Sequence, residues 1–264
     1  MPVRLTLFAK GNADLRDPLY ALLVGGETLW NGVNQVLRDA GREGSIRVRH
    51  ETNTCFAALD SASGTPPDEV AGLGKVLGPF SPQAQFSNAL FAPGHAAIAL
   101  SIQGDLTVQM ARHRQQGYLL HPYEWSLWPH AQRDWLRANF DPLPASTPEQ
   151  TMAHLARIVG RVREYSEAPI LVFNVSGVTP GETIHCYQGM AKVFSQRVRQ
   201  FNAALVEASA ELGFSIVDVE RIVAEHGARQ VKIDPIHLNA LGCRLVAEEV
   251  VRILDDHGLL SEVA

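Results

Sequence analysis

The chain has 264 residues, 46% of them hydrophobic and 19% charged, with a formal net charge of −5. That balance belongs to a globular protein with enough apolar material for a full core, in one large domain or two small ones. With no Lys/Arg block, it excludes the basic stripe of a nucleic-acid binder; Arg157, Arg161 and Arg163 fit a solvated helix face instead. Met1–Leu7 is too short an apolar run for a secretory signal, and no stretch approaches the ~18 apolar residues of a membrane helix. Cys55, Cys186 and Cys243 are odd in number and far apart. That argues against a disulfide framework or zinc cluster and suits a reducing, cytoplasmic compartment.

Along the chain, strand-length apolar runs alternate with helix-period segments. Val3–Ala9 reads as a first strand, closed by Lys10-Gly11-Asn12. Thr28–Ala40 carries Leu29, Val33, Val36 and Leu37 at helical spacing, with Gly41 as a stop. Ser45–His50 reads as a second strand and Pro66–Gly78 as a second helix. Ala96–Gln103 is a third strand, and a helical stretch begins at Thr107–Ala111. Residues 112–146 hold Trp125, Trp128 and Trp135 with little periodicity, and are the best candidate for an insertion or lid. Thr147–Ser166 reads as a helix with Thr147 before Pro148 and Glu149 and Gln150 in its first turn. Pro169–Val175 is a fourth strand, followed by the loop Ser176–Tyr187. A long helix, about Met190 to Leu212, leads to a last strand, Ile216–Val219, and Leu238–Leu254 contains the final helix.

This alternation predicts one α/β domain over residues 1–264, a three-layer α/β/α sandwich on a flavodoxin-like parallel sheet of about five strands. Ligands of such sheets bind at the carboxyl ends of the strands. That rule directs attention to Lys10–Asp17, His50–Cys55, Ser101–Asp105 and Val175–His185.

The strongest local pattern is Asp234-Pro235-Ile236-His237-Leu238-Asn239, followed by Gly242 and a helix. A carboxylate three residues before a histidine can accept its Nδ1–H, fix the tautomer and leave Nε2 as a base; a loop aspartate near a structural histidine is the plainer alternative. With the helix around Val198, Phe201, Asn202 and Leu205, then Gly213 and a strand ending in Val217-Asp218, this pattern resembles the SGNH/GDSL hydrolase superfamily. The resemblance covers the last ~70 residues by segment-level matching. It implies a flavodoxin-like α/β/α fold and cleavage or transfer at an ester bond, with His237 as base oriented by Asp234.

That family carries Gly-Asp-Ser-Leu after its first strand, the serine being the nucleophile. Here the stretch reads Lys10-Gly11-Asn12-Ala13-Asp14-Leu15. Without a gap Ala13 takes the serine position; with one inserted residue Asp14 does, and Leu15 matches the leucine. The family's glycine after the second strand has no clear match near His50–Cys55, and its Gly-x-Asn-Asp is represented only by Ile102-Gln103-Gly104-Asp105. A weaker resemblance, to capsule-biosynthesis proteins carrying Gly-Asn-Cys-Gln after the first strand, matches Gly11-Asn12 and again meets Ala13 at the reactive position. Ala13 is then either natural or an introduced replacement.

Candidate site residues follow. Catalytic candidates are His237, Asp234 and Asp14. Lys10, Gly11, Asn12, Ala13, His50, Asn53, Ser101 and Gln103 are candidates for substrate or oxyanion binding, although helix capping by Asn12 or Asp14 explains part of that cluster. Cys55 and Cys186 read more simply as buried and inert. His121–Trp125 reads as part of a lid or acyl pocket, or more simply as a satellite hydrophobic cluster. Glu182, His185 and His237 lack the spacing of a metal site, and neither a metal nor a cofactor is expected; no glycine-rich dinucleotide fingerprint is present. Three functions remain open. One is an esterase or acyltransferase acting on a small molecule or carbohydrate, including direct transfer through His237 without an acyl-enzyme. Another is a departed enzyme using Asp14 on a polar metabolite held by Lys10 and Arg16. The third is a silent binding module. No nucleic-acid or membrane partner is expected.

Overall fold

The computed structural model describes residues 3–177 and 194–260. The elements begin with β1 (Val3–Lys10), α1 (Ala13–Leu19), β2 (Leu22–Val24), β3 (Glu27–Trp30), α2 (Val33–Asp39), β4 (Gly44–Glu51) and α3 (Phe56–Asp60). Three short helices follow, α4 (Asp68–Ala71), α5 (Gly74–Leu77) and α6 (Pro82–Phe86), then β5 (Ala97–Ser101), α7 (Gln103–Thr107), β6 (Ala111–His113), β7 (Leu119–Leu120), α8 (His130–Asn139) and β8 (Phe140–Pro142). The rest comprises α9 (Pro148–Arg163), β9 (Ile170–Phe173), α10 (Phe194–Leu212), β10 (Ser215–Val217), α11 (Val219–His226), α12 (Ala228–Val231) and α13 (Ala240–Asp256).

Five strands form the central sheet in the order β10-β9-β5-β1-β4, every pairing parallel. This is the flavodoxin-like order, whose switch point lies between β1 and β5. Because side chains alternate across a strand, Leu5, Leu7 and Ala9 of β1, Ala97 and Ala99 of β5, and Leu171 and Phe173 of β9 enter one core with α1, α2 and α13. Phe8, Ile98, Leu100, Ile170 and Val172 enter the other, with α3, α9 and α10. The three-layer expectation is met.

The differences from the sequence reading are local. Residues 28–30 are not helical: Gly25 and Gly26, both at positive φ, turn the chain between β2 and β3, and α2 begins only at Val33. That pairing leaves Leu29 exposed. Pro66–Gly78 is two single-turn helices broken at Gly72 rather than one. The helical stretch lies at Gln103–Thr107, ahead of the position expected, and Ala111 already starts β6. The last strand ends at Val217 because Asp218 turns to cap α11, accepting from Arg221 N at 3.0 Å. α9 carries the anticipated start as a full capping box between Thr147 and Gln150.

The irregular region 112–146 contributes α8 and the three-stranded antiparallel sheet β7-β6-β8. Its Leu120, Trp128, Leu136 and Phe140 share a separate cluster with Ala111, Val70, Leu77 and Phe86. No helix among the described residues is long and apolar enough to cross a membrane.

Candidate active site

The loop before α13 is held on several sides. Lys232 bridges to Leu238, Asn239 N donates to Val231 O at 3.0 Å, and Asn239 Oδ1 caps α13 by accepting from Gly242 N at 3.0 Å. The buried Lys232 ammonium donates to Pro235 O at 2.7 Å. Within this frame Asp234 Oδ1 accepts from Ile236 N at 2.9 Å and His237 N at 2.8 Å, while Oδ2 stands 2.7 Å from His237 Nδ1. Partial burial alone would raise the Asp234 carboxyl, but the donors from Ile236 and His237 outweigh it and hold the group below its usual range. A carboxylate accepts only, so the neutral His237 ring carries its proton on Nδ1 and leaves Nε2 as an acceptor.

His237 opens onto a cleft of about 890 Å³ at the carboxyl edge of the sheet. Its lining includes Asn12, Ala13, Arg16, His50, Gln103 and His237 and the apolar side chains of Phe80, Met110, Tyr123, Trp125, Leu136 and Phe140 among others. Asn12 and Ala13 leave β1, and Gln103 follows β5, so the cleft reaches the topological switch point. Gln103 is buried, its backbone N donating to Ser101 Oγ at 2.9 Å and its carbonyl accepting from Thr107. Asn12 keeps its Oδ1 buried without a partner among the described residues. His50 Nε2 lies 2.9 Å from Gly11 O. Its burial pushes the ring's pKa down, reinforced by the positive charges of Arg16 and Lys10 and opposed by the Gly11 bond.

Besides Asp234, which meets the cleft only through His237, five sequence candidates do not line it. Lys10 is 2% exposed and committed, donating to Ala84 O at 2.7 Å and pairing with Glu51 at 3.2 Å. Gly11 O and N serve the loop, accepting from Asn53 N at 3.3 Å and donating to Glu51 O at 3.1 Å. Asn53 is buried, with Nδ2 unpaired among the described residues. Ser101 is buried and donates to Asp14 Oδ2, while Asn12 N donates to Asp14 Oδ1 at 3.1 Å. Burial pushes the Asp14 carboxyl up against these donors. Asp14 therefore ties the start of α1 to the end of β5, a structural task other than the helix cap expected of Asn12 or Asp14, since α1 has no side-chain cap. Cys55 is buried, its thiol pushed up to about 12 by burial, which leaves it inert. Glu182, His185 and Cys186 lie outside the described residues. Among the described residues no group of three His, Cys, Asp or Glu side chains is placed to hold a metal.

The cleft's apolar wall was the feature sequence reasoning undervalued. His121–Trp125 lines it, in keeping with the lid or acyl-pocket alternative rather than the satellite cluster that was the simpler reading. Phe80 packs against His121 and Tyr123 with ring centroids 4.7 and 5.2 Å apart, and Arg137 lies over Trp125 at 5.4 Å. The concentration of aromatics at 121–135 was the available signal.

Residues 82–245 match the GDSL-like lipase/acylhydrolase family model. The chain belongs to the GDSL-like lipase/acylhydrolase family. That membership places it among hydrolases acting on ester bonds. The matched span contains β5 and the Asp234–His237 loop but not β1 or Ala13. Among solved structures, the acetyl xylan esterase AlAXEase aligns with TM-score 0.52 at 10% identity, over 96% of this chain and 100% of that one, in agreement with the α/β/α fold. A lipolytic protein of the G-D-S-L family from Veillonella parvula aligns with TM-score 0.49 at 12% identity over 95% of this chain and 98% of that one. No curated protein matches the chain.

Proposed function

We propose that this GDSL-like hydrolase cleaves an ester of a small molecule or carbohydrate by direct attack on the acyl carbon, with His237 as general base and no acyl-enzyme. The observation that carries this reading is the Asp234–His237 contact of 2.7 Å beside a cleft that also takes in Ala13. An oriented imidazole supplies base catalysis worth about 10²–10⁴-fold. Ala13 supplies no nucleophile, so the attacking oxygen comes from a bound hydroxyl or water. The Gln103 and Asn12 amides, with backbone N–H groups at the start of α1, are the nearby donors for the oxyanion. The Asp14 alternative is disfavoured because both its carboxylate oxygens are engaged and it lies behind the cleft lining.

The test is hydrolysis of short p-nitrophenyl esters. The wild-type chain is expected to cleave them and His237→Ala to lose at least about 10²-fold in kcat/KM. Equal rates in the two proteins would refute His237 as the base.

A further inference from the structure

Three histidines line the cleft, His50, His121 and His237, and the His50 ring is fixed the opposite way to that of His237. A carbonyl oxygen accepts and cannot donate, so the 2.9 Å contact to Gly11 O places the His50 proton on Nε2. Nδ1 is then the ring's acceptor. No described residue bonds it, and it is not among the enclosed polar atoms, so it stays open at the cleft His50 lines. Gly11, which holds the ring, stands two residues before Ala13, the position without a nucleophile. His237, with Nδ1–H on Asp234, turns its own acceptor Nε2 free. The lining of one cleft thus includes two imidazole acceptors, His50 Nδ1 and His237 Nε2.

We infer that His50 orients the attacking water, so that this site is built for hydrolysis rather than for transfer to an alcohol. The inference rests on the direct-attack reading above. A water molecule has two O–H groups, and holding both on acceptors turns a lone pair toward the acyl carbon. In the step, the water oxygen bonds to the acyl carbon while one of its protons passes to His237 Nε2. His50 Nδ1 accepts a hydrogen bond from the other O–H and takes no proton. The acyl C–O bond then breaks, and the leaving oxygen recovers the proton from His237. The products are the alcohol and the carboxylic acid, whose remaining proton is the one His50 held. An alcohol has a single O–H to give to His237, so His50 offers it nothing comparable.

The experiment is p-nitrophenyl ester turnover in aqueous methanol, with acid and methyl ester quantified together for the wild-type chain, His237→Ala, His50→Phe and His50→Gln. His50→Phe is expected to lower hydrolysis by about tenfold or more while methanolysis and KM change little, so that the acid-to-methyl-ester ratio falls. His50→Gln, whose amide can donate to Gly11 O and still offer an acceptor, is expected to recover part of the ratio. Melting temperatures accompany each variant. If His50→Phe does not stay folded, His50→Asn, too short to serve both partners, carries the same comparison. An unchanged ratio in a folded variant, with turnover still dependent on His237, overturns the role of His50 alone. Turnover independent of His237 overturns the site reading and this inference with it.

Discussion

Asp105 and Asp234 are two carboxylates driven in opposite directions by their surroundings. Asp105, a buried residue of α7, accepts from Phe56 N at 3.0 Å and from Thr151 Oγ1 at 3.1 Å, while Arg197 reaches its backbone oxygen at 2.9 Å. Burial outweighs these donors and raises its pKa to about 7. Asp234, at 42% side-chain exposure, stays below its usual range and is the charge available to His237. The raised Asp105 value carries a sign for stability. The folded state holds this proton more tightly than the unfolded chain, whose aspartates titrate near ~3.9, so the contribution is present at low pH and is lost as pH rises toward about 7. Asp105→Asn does not titrate there. We expect the urea midpoint of the wild-type chain to decline relative to that of Asp105→Asn between about pH 4 and pH 7; parallel midpoints would show that the carboxyl is not perturbed.

At the scale of elements, the cleft around Gln103 depends on how α7 meets the loop after β4. A Cβ on Gly104 would fall 1.9 Å from Thr54 O, a backbone atom that cannot swing aside. Only glycine permits this approach, and it seats Gln103, the preceding residue, at the cleft. Gly104→Ala is expected to cost about 1–3 kcal/mol by overpacking and, by shifting Gln103, to lower kcat more than KM. Chemical denaturation and steady-state kinetics on the same preparation check both parts; an alanine variant of wild-type stability and rate would contradict the account of this contact. The same contact explains a limit of the sequence reading. Gly104 was legible as part of a degraded Gly-x-Asn-Asp, but its reason lies in a partner fifty residues away, which periodicity cannot reveal.

Across the whole molecule, what was legible followed from repeating local rules. The continuous apolar runs of β1, β5 and β9, the Thr147–Gln150 cap and the stripe of α10 marked the parallel sheet and its layers. Asp234 and His237 were legible because their pairing is local, three residues apart before a capped helix. Lys10, Asp14, Asn53 and Ser101 read as site residues because they are polar and sit at strand ends, yet their partners in space, such as Glu51 for Lys10 and Ser101 for Asp14, spend them on holding loops together. The aromatic wall was left open between an acyl pocket and a satellite cluster because α8 and the small sheet β7-β6-β8 bring distant segments to the cleft. Intact-mass analysis of rapidly quenched wild-type turnover of a p-nitrophenyl ester tests the central claim most directly, with Ala13→Ser run beside it as a control able to form an acyl-serine. The account predicts His237-dependent turnover with no acyl adduct on the wild-type chain; an acyl adduct there, on Asp14 or any other residue, would contradict it.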